Sequence, residues 1–352
     1  MTTQATRPPG ERDEVFLELE RLVKKAGLME RQPRYYAKKI SGTGLAFGAG
    51  LVAFVWIGAS WWNLLIAVYF AVIRTQLAFL GHDSGHQQIC ATLRANDRLS
   101  LVLGFLTGMS HRWWVDKHTL HHAHPNQMGK DPDIGENRFI AWTPEQLLNR
   151  GPFGHRVARW QAFLFFPLLL LEGLSLHINS FQAVFGSKLK FKSPGLRRLE
   201  RSSLVLHVVL YGVAVGTVLT WQQALVFTLV DQCLWGLYMG MCFAPNHKDM
   251  EIVGADEKRN RLEAQVPTSR DIEGNWLTDL ALGGLNYQIT HHLFPRMARN
   301  CLRKATRIVR AYCEREEIGV KYTVTGFWRS YWIIMKYLHR VGRGVRTAEA
   351  GA

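Results

Sequence analysis

Residues 42–86 read GTGLAFGAGLVAFVWIGASWWNLLIAVYFAVIRTQLAFLGHDSGH. Gly42–Trp62 and Asn63–Leu80 are two apolar runs, each close to the roughly 20 residues that a bilayer-crossing helix needs. Trp56, Trp61 and Trp62 mark their junction as an interfacial aromatic belt. The pair therefore reads as a helical hairpin, and it ends in two histidines four residues apart, His82 and His86. A second pair follows at Leu204–Leu219 and Ala224–Phe243, joined by a short turn with Trp221. Arg74, Asp231 and Gln232 interrupt these runs, and polar groups within a span face the protein interior.

Working outward, Lys plus Arg number 43 and Asp plus Glu 28 among 352 residues, a formal charge of +15. Hydrophobic residues make up 47% of the chain and are segregated from the basic segments, which argues against a soluble single core. The basic charge lies between apolar runs, so membrane orientation accounts for it and no nucleic acid partner is expected. Residues 1–41 lack an apolar signal region, and no cleavable signal peptide is expected. The five cysteines show no CxxC spacing and fit a reducing compartment.

Trp160–Ile178 is apolar but carries Pro167 and Glu172. A single crossing there would put the basic stretch 188–201 on the face opposite the N-terminus, so a half-inserted or interfacial helix is expected. Leu99–Met109 is too short to cross. The expected fold is thus an all-α integral membrane protein: four transmembrane helices in two hairpins, with a cytoplasmic helical cap carrying a metal site. The segments are a basic cytoplasmic stretch at 1–41, a membrane domain at 42–300, and a basic amphipathic cytoplasmic stretch at 301–352.

Three histidine clusters supply the chemistry: His82 and His86; His118, His121 and His122; and Gln288 with His291 and His292. Spacings of three and four residues put such side chains on one helix face. His247, just beyond the last apolar run, is a further candidate. Neutral imidazole suits iron, copper, zinc and nickel, whereas a structural zinc site favours cysteine, absent from these clusters. Eight histidines suffice for two metal ions with open positions. Redox metals beside a membrane suit dioxygen chemistry on a lipid-soluble substrate. Asp83, Asp116 and Asn246 are left open between supporting the imidazoles and ordinary caps, turns or solvated charges. His124, beside Pro125, is assigned no ligand role.

HDSGH, KHTLHHAHPN and QITHHLFP together resemble the three histidine boxes of the membrane fatty acid desaturase family. The glutamine that opens the third box is similar to the front-end and linoleoyl-CoA-desaturase-like subgroup. The resemblance implies a non-haem di-iron site on the cytoplasmic face. Its ligands would be His82, His86, His118, His121, His122, His291 and His292, with His247 and Gln288 as further members. It also implies an O2-dependent desaturase acting on a long acyl chain carried by coenzyme A or a lipid. Two features depart from front-end members: Thr290 stands where Glu is common, and no HPGG haem motif occurs. Electrons are then expected from a separate ferredoxin, cytochrome b5 or reductase. A related di-iron hydroxylase or monooxygenase, or a non-catalytic membrane metal-binding protein, is the alternative.

Overall fold

The computed structural model describes residues 9–344. Among them the helices run α1 (Pro9–Lys25), α2 (Pro33–Ile57), α3 (Asn63–Gly85), α4 (Leu93–Thr107) and α5 (His111–Ala123). Then come α6 (Pro144–Leu148), α7 (Pro152–Ala158), α8 (Gln161–Leu169), α9 (Glu172–Phe185), α10 (Pro194–Val218) and α11 (Trp221–His247). The last five are α12 (Arg261–Gln265), α13 (Trp276–Ala281), α14 (Gln288–Leu293), α15 (Arg299–Cys313) and α16 (Phe327–Gly342). Two short strands, β1 (Asp271–Glu273) and β2 (Val324–Gly326), pair in parallel with Asp271 opposite Val324.

Two compact units share these elements. One holds Arg31–His118 and Phe166–Met241. The other holds the segment up to Glu30, Thr119–Phe165 and the segment from Cys242 onward. Four helices, α2, α3, α10 and α11, are long and apolar enough to cross a membrane. α3 and α11 outrun their apolar stretches, whereas α2 and α10 begin earlier than expected and also end earlier, α10 at Val218 and α2 at Ile57 rather than Trp62, where Gly58 at φ +66° stops the helix. Proline at the first turn starts α2 at Pro33 and α10 at Pro194, where its missing N–H costs nothing. α3 continues past Leu80 to carry His82 in its last turn.

Within the first unit, Phe54, Phe70, Val215, Leu219 and Phe227 form a buried cluster drawn from α2, α3, α10 and α11. The opposite faces stay apolar and exposed, as at Leu45, Val52, Val55 and Val213. Apolar side chains on both faces suit a lipid solvent. The charges inside these helices neutralise each other. Arg74 Nη1 meets Asp231 Oδ2 at 2.7 Å, the Tyr211 hydroxyl donates to the same oxygen at 3.2 Å, and the guanidinium lies 4.1 Å from the Trp235 ring centre.

The apolar stretch from Trp160 is two helices, α8 and α9, bent by 70° at the break between them. Glycine makes the adjoining contact possible. A Cβ on Gly236 of α11 would lie 2.4 Å from the Gly173 nitrogen, and one on Gly173 would lie 2.6 Å from the Gln232 carbonyl oxygen. Such close backbone approach is the use small residues have between membrane helices. α4, 15 residues long and capped by Thr92, packs on α3 and α10.

In the second unit α15 buries Leu302, Ala305, Val309 and Tyr312 and turns Arg307 and Arg310 outward. The Tyr312 hydroxyl donates to the Val15 carbonyl at 2.7 Å, which ties α1 to α15. Gly342 of α16 lies against Ala158, and the Gln161 amide donates to the Leu338 carbonyl at 2.8 Å.

Candidate metal centre

The first box is built by the end of α3. His82 and its C-cap His86 stand one turn apart, with ring centres 4.7 Å from each other. His118 of α5 completes a triangle, 4.9 Å from each. Ring nitrogens of the three lie within 4.8 Å of one another. Trp114, one turn before His118, stacks on its ring at 4.5 Å and meets His82 edge-on at 5.4 Å. Gly85 leaves the room for that indole, since a Cβ there would fall 2.4 Å from it. His82 Nδ1 faces Asp83 Oδ1 at 3.3 Å. The Tyr36 hydroxyl lies 3.1 Å from Asp83 Oδ2 and 2.8 Å from Gln88 Oε1. Asp83 thus orients an imidazole. Asp116 instead pairs with Arg112 at 2.8 Å near the surface.

The second unit holds a second triangle, His121, His247 and His292, all buried, with ring centres 4.7–5.0 Å apart. Partners fix each tautomer. His247 Nδ1 must donate, because its neighbour at 3.0 Å is the Thr268 carbonyl. His292 Nδ1 donates to Gln265 Oε1 at 2.8 Å, while Gln265 Nε2 is committed to the His122 carbonyl at 2.8 Å. His121 Nδ1 donates to the Asp131 carboxylate at 3.0 and 3.1 Å. Each imidazole therefore keeps its lone pair on Nε2. Gln288 agrees: its amide nitrogen donates to Nε2 of both His247 and His292 at 3.0 Å. Asn246, fully buried, donates in turn to Gln288 Oε1 at 3.3 Å. His122 stacks on His292 at 4.1 Å and meets His291 edge-on at 4.8 Å.

A cluster of imidazoles, each with one nitrogen anchored and the other turned inward, is a donor set that fits a divalent transition metal such as iron. Asp131 carries much of that anchoring. Burial alone would raise its pKa, but His121 beside it holds the carboxyl below its usual value. Its two oxygens also accept from the Asn126 and Asp133 amides at 2.7 and 2.9 Å. Asn126 sits at φ +53°, a conformation asparagine tolerates, and its side-chain amide reaches the carbonyls of His247, Glu251 and Thr268.

All nine residues expected from the sequence lie in these clusters: His82, His86 and His118 in one unit, and His121, His122, His247, Gln288, His291 and His292 in the other. His247 does not follow the last apolar helix; it lies in that helix's final turn. His124 turns to Gln127 Oε1 at 2.8 Å. Asp131, Asp133, Gln265 and Asn126 were not foreseen. DPD beginning six residues after HP was the available signal for the aspartates; Gln265 had none.

Helices of membrane-spanning length that lead into anchored polyhistidine clusters define an α-helical histidine-box protein. The chain belongs to the fatty acid desaturase family, whose model, described as fatty acid desaturase, matches residues 59–324. It is 29% identical over 342 residues to an acyl-lipid (9-3)-desaturase of Physcomitrium patens, covering 95% of this chain and 64% of that protein. It is 27% identical to a Delta(8)-fatty-acid desaturase of Helianthus annuus, covering 83% and 65%. A Delta(6)-fatty-acid desaturase of Caenorhabditis elegans is 27% identical, with 96% and 77% covered. The chain thus spans less than two thirds of the length of the first two relatives.

Proposed function

We propose that the protein is an O2-dependent acyl desaturase that places a cis double bond in a long acyl chain. The supporting observation is the inward set of Nε2 lone pairs on His121, His247 and His292, in a chain of a family whose named relatives are fatty-acid desaturases. The overall change balances as –CH2–CH2– plus O2, two electrons and two protons giving –CH=CH– and two waters. Iron, when bound, supplies the oxidising power that no side chain has against an unactivated C–H bond.

We assign His82, His86 and His118 to one iron and His121, His247 and His292 to a second. His122 and His291 are further ligands, and Gln288, whose amide nitrogen faces His247 and His292, positions those two rings instead of coordinating. Asp83, Asp131, Thr268 and Gln265 hold the rings in their tautomers, and Asn246 holds the Gln288 amide. In this reading the four long helices form two hairpins, and the histidines occupy a cytoplasmic cap. An apolar tunnel holds the methylenes, and its shape selects the carbons because methylenes offer no hydrogen bond. A separate electron-transfer protein supplies the electrons.

The test is expression in a host lacking this activity, with fatty acids profiled by mass spectrometry. New unsaturation that is lost in His121→Ala and His292→Ala supports the assignment. Hydroxy-acids in its place would make the protein a hydroxylase, and an unchanged profile with a matched, iron-loaded protein would overturn both.

A further inference from the structure

Two helices near the C-terminal end of α11 carry exposed apolar side chains. α11 begins at Trp221, exposed and placed as an interfacial anchor. A hydrocarbon core of about 30 Å takes about 20 residues of helix, which brings the opposite interface to Met241 and Cys242. Cys242 is fully buried. The Ala281 carbonyl at the end of α13 accepts from its thiol at 3.8 Å. On α16, Arg340 meets Asp249 at 2.5 Å, two residues past the end of α11.

α13 and α16 therefore reach the residues at and just past the C-terminal end of α11, and both carry exposed apolar side chains. Trp276, Leu277 and Leu280 of α13 are 71%, 56% and 44% exposed; Trp328 and Trp332 of α16 are 77% and 60% exposed. Three such side chains on the six-residue α13 and two, one turn apart, on α16 are clustered apolar surface of the kind that marks an interaction site. The charge on α16 has one sign. FWRSYWIIMKYLHRVG contains no acid, and Lys336 Nζ sits 5.3 Å from the Trp332 ring centre, an apolar ring with a cation beside it. Exposed Arg329 adds a second positive charge two turns before Lys336.

We propose that α13 and α16 form a monotopic collar that lies in the bilayer interface beside the last span, with Arg329 and Lys336 against anionic lipid head groups. Tryptophan holds the head-group level, and each basic side chain near an anionic surface adds attraction that salt screens. The collar rests on the membrane placement of the span helices and is independent of the catalytic reading.

The full chain is reconstituted in nanodiscs of phosphatidylcholine, alone or with one quarter phosphatidylglycerol. Spin labels are placed in Trp276→Cys, Trp328→Cys and Trp332→Cys, and the signal of the unsubstituted chain is subtracted. Lys321→Cys, on an exposed loop, is the aqueous control; Val52→Cys, on the outer face of α2, is the lipid control. Labels at 276, 328 and 332 should show an oxygen-to-nickel collision ratio at least about threefold above that at 321, as interfacial burial requires. Arg329→Glu with Lys336→Glu should lower the ratio at 332 in the anionic discs and much less in the neutral ones. Ratios at 276, 328 and 332 equal to that at 321 would overturn the collar. An aqueous label at Val52 would instead overturn the membrane placement beneath it. Labels shielded from both reagents, together with a dimer that Trp328→Ser/Trp332→Ser dissolves, would give the face to a second copy and also overturn the proposal. Identical responses to charge reversal in both lipids would remove the anionic head groups from it.

Discussion

Asp131 concentrates the burden of the second triangle on one side chain, since it orients His121 and also satisfies two buried amides. Removing it leaves those donors unmet, a cost of about 1–3 kcal/mol, and frees the ring. Supporting partners of metal-bound histidines typically contribute about 10–100-fold in metal affinity. Asp131→Ala is therefore expected to weaken iron binding by about that factor while far-ultraviolet dichroism stays unchanged; undiminished affinity in an iron titration would refute the role. Asp271 offers a second test. Its Oδ1 accepts from the Ile289 amide at 2.9 Å and its Oδ2 from the Tyr322 hydroxyl, and so it braces the helix of the third box from behind. Burial lifts its pKa from 3.8 to about 7, although both hydrogen bonds pull it down. A carboxyl that holds its proton more tightly when folded stabilises fully below about pH 4, and this contribution drains away as pH rises to about 7. Thermal midpoints between pH 5 and 8 should fall more steeply for the wild type than for Asp271→Asn. Parallel curves would show that the carboxyl does not titrate as stated.

At the scale of elements, the long helices were legible because apolar runs of this length have one reading in lipid. Their ends were less so. The apolar run ended at Phe243 and left His247 beyond it, yet α11 continues through Pro245 to His247. Proline removes one backbone donor, and a helix tolerates that loss where packing over-determines its path. The 70° break between α8 and α9 was legible only as a conflict between apolar length and the basic segment that follows. Just past the break Gly173 fits closely against Gly236, a contact that no local pattern announces. Gly236→Ala should force these backbones apart, at about 1–3 kcal/mol as overpacking does. Gly216→Ala on α10, with nothing within 4 Å of the added carbon, should be neutral or slightly stabilising. Equal thermal midpoints for the two variants in detergent would show that the contact bears no load.

For the whole molecule, the histidines were legible because three boxes with ligand spacing rarely arise by chance. Their supports were not, because Gln265, Thr268 and Asn126 reach the rings through folding rather than through sequence proximity. The same geometry ties metal to folding. His121, His247 and His292 come from segments separated by 126 and 45 residues and meet within 4.8 Å. A ligand that binds only the folded state stabilises by about 2.7 kcal/mol at a hundred times its dissociation constant. Iron should therefore act as a clasp on the second unit. Chelation is expected to speed backbone hydrogen exchange in α12 and α14 and to lower the melting midpoint, and restored iron should reverse both changes. His292→Ala, which deletes one corner of the triangle, should exchange at the chelated rate whether iron is added or not. If the variant still gains protection when iron is added, the metal is held elsewhere and the triangle is only packing.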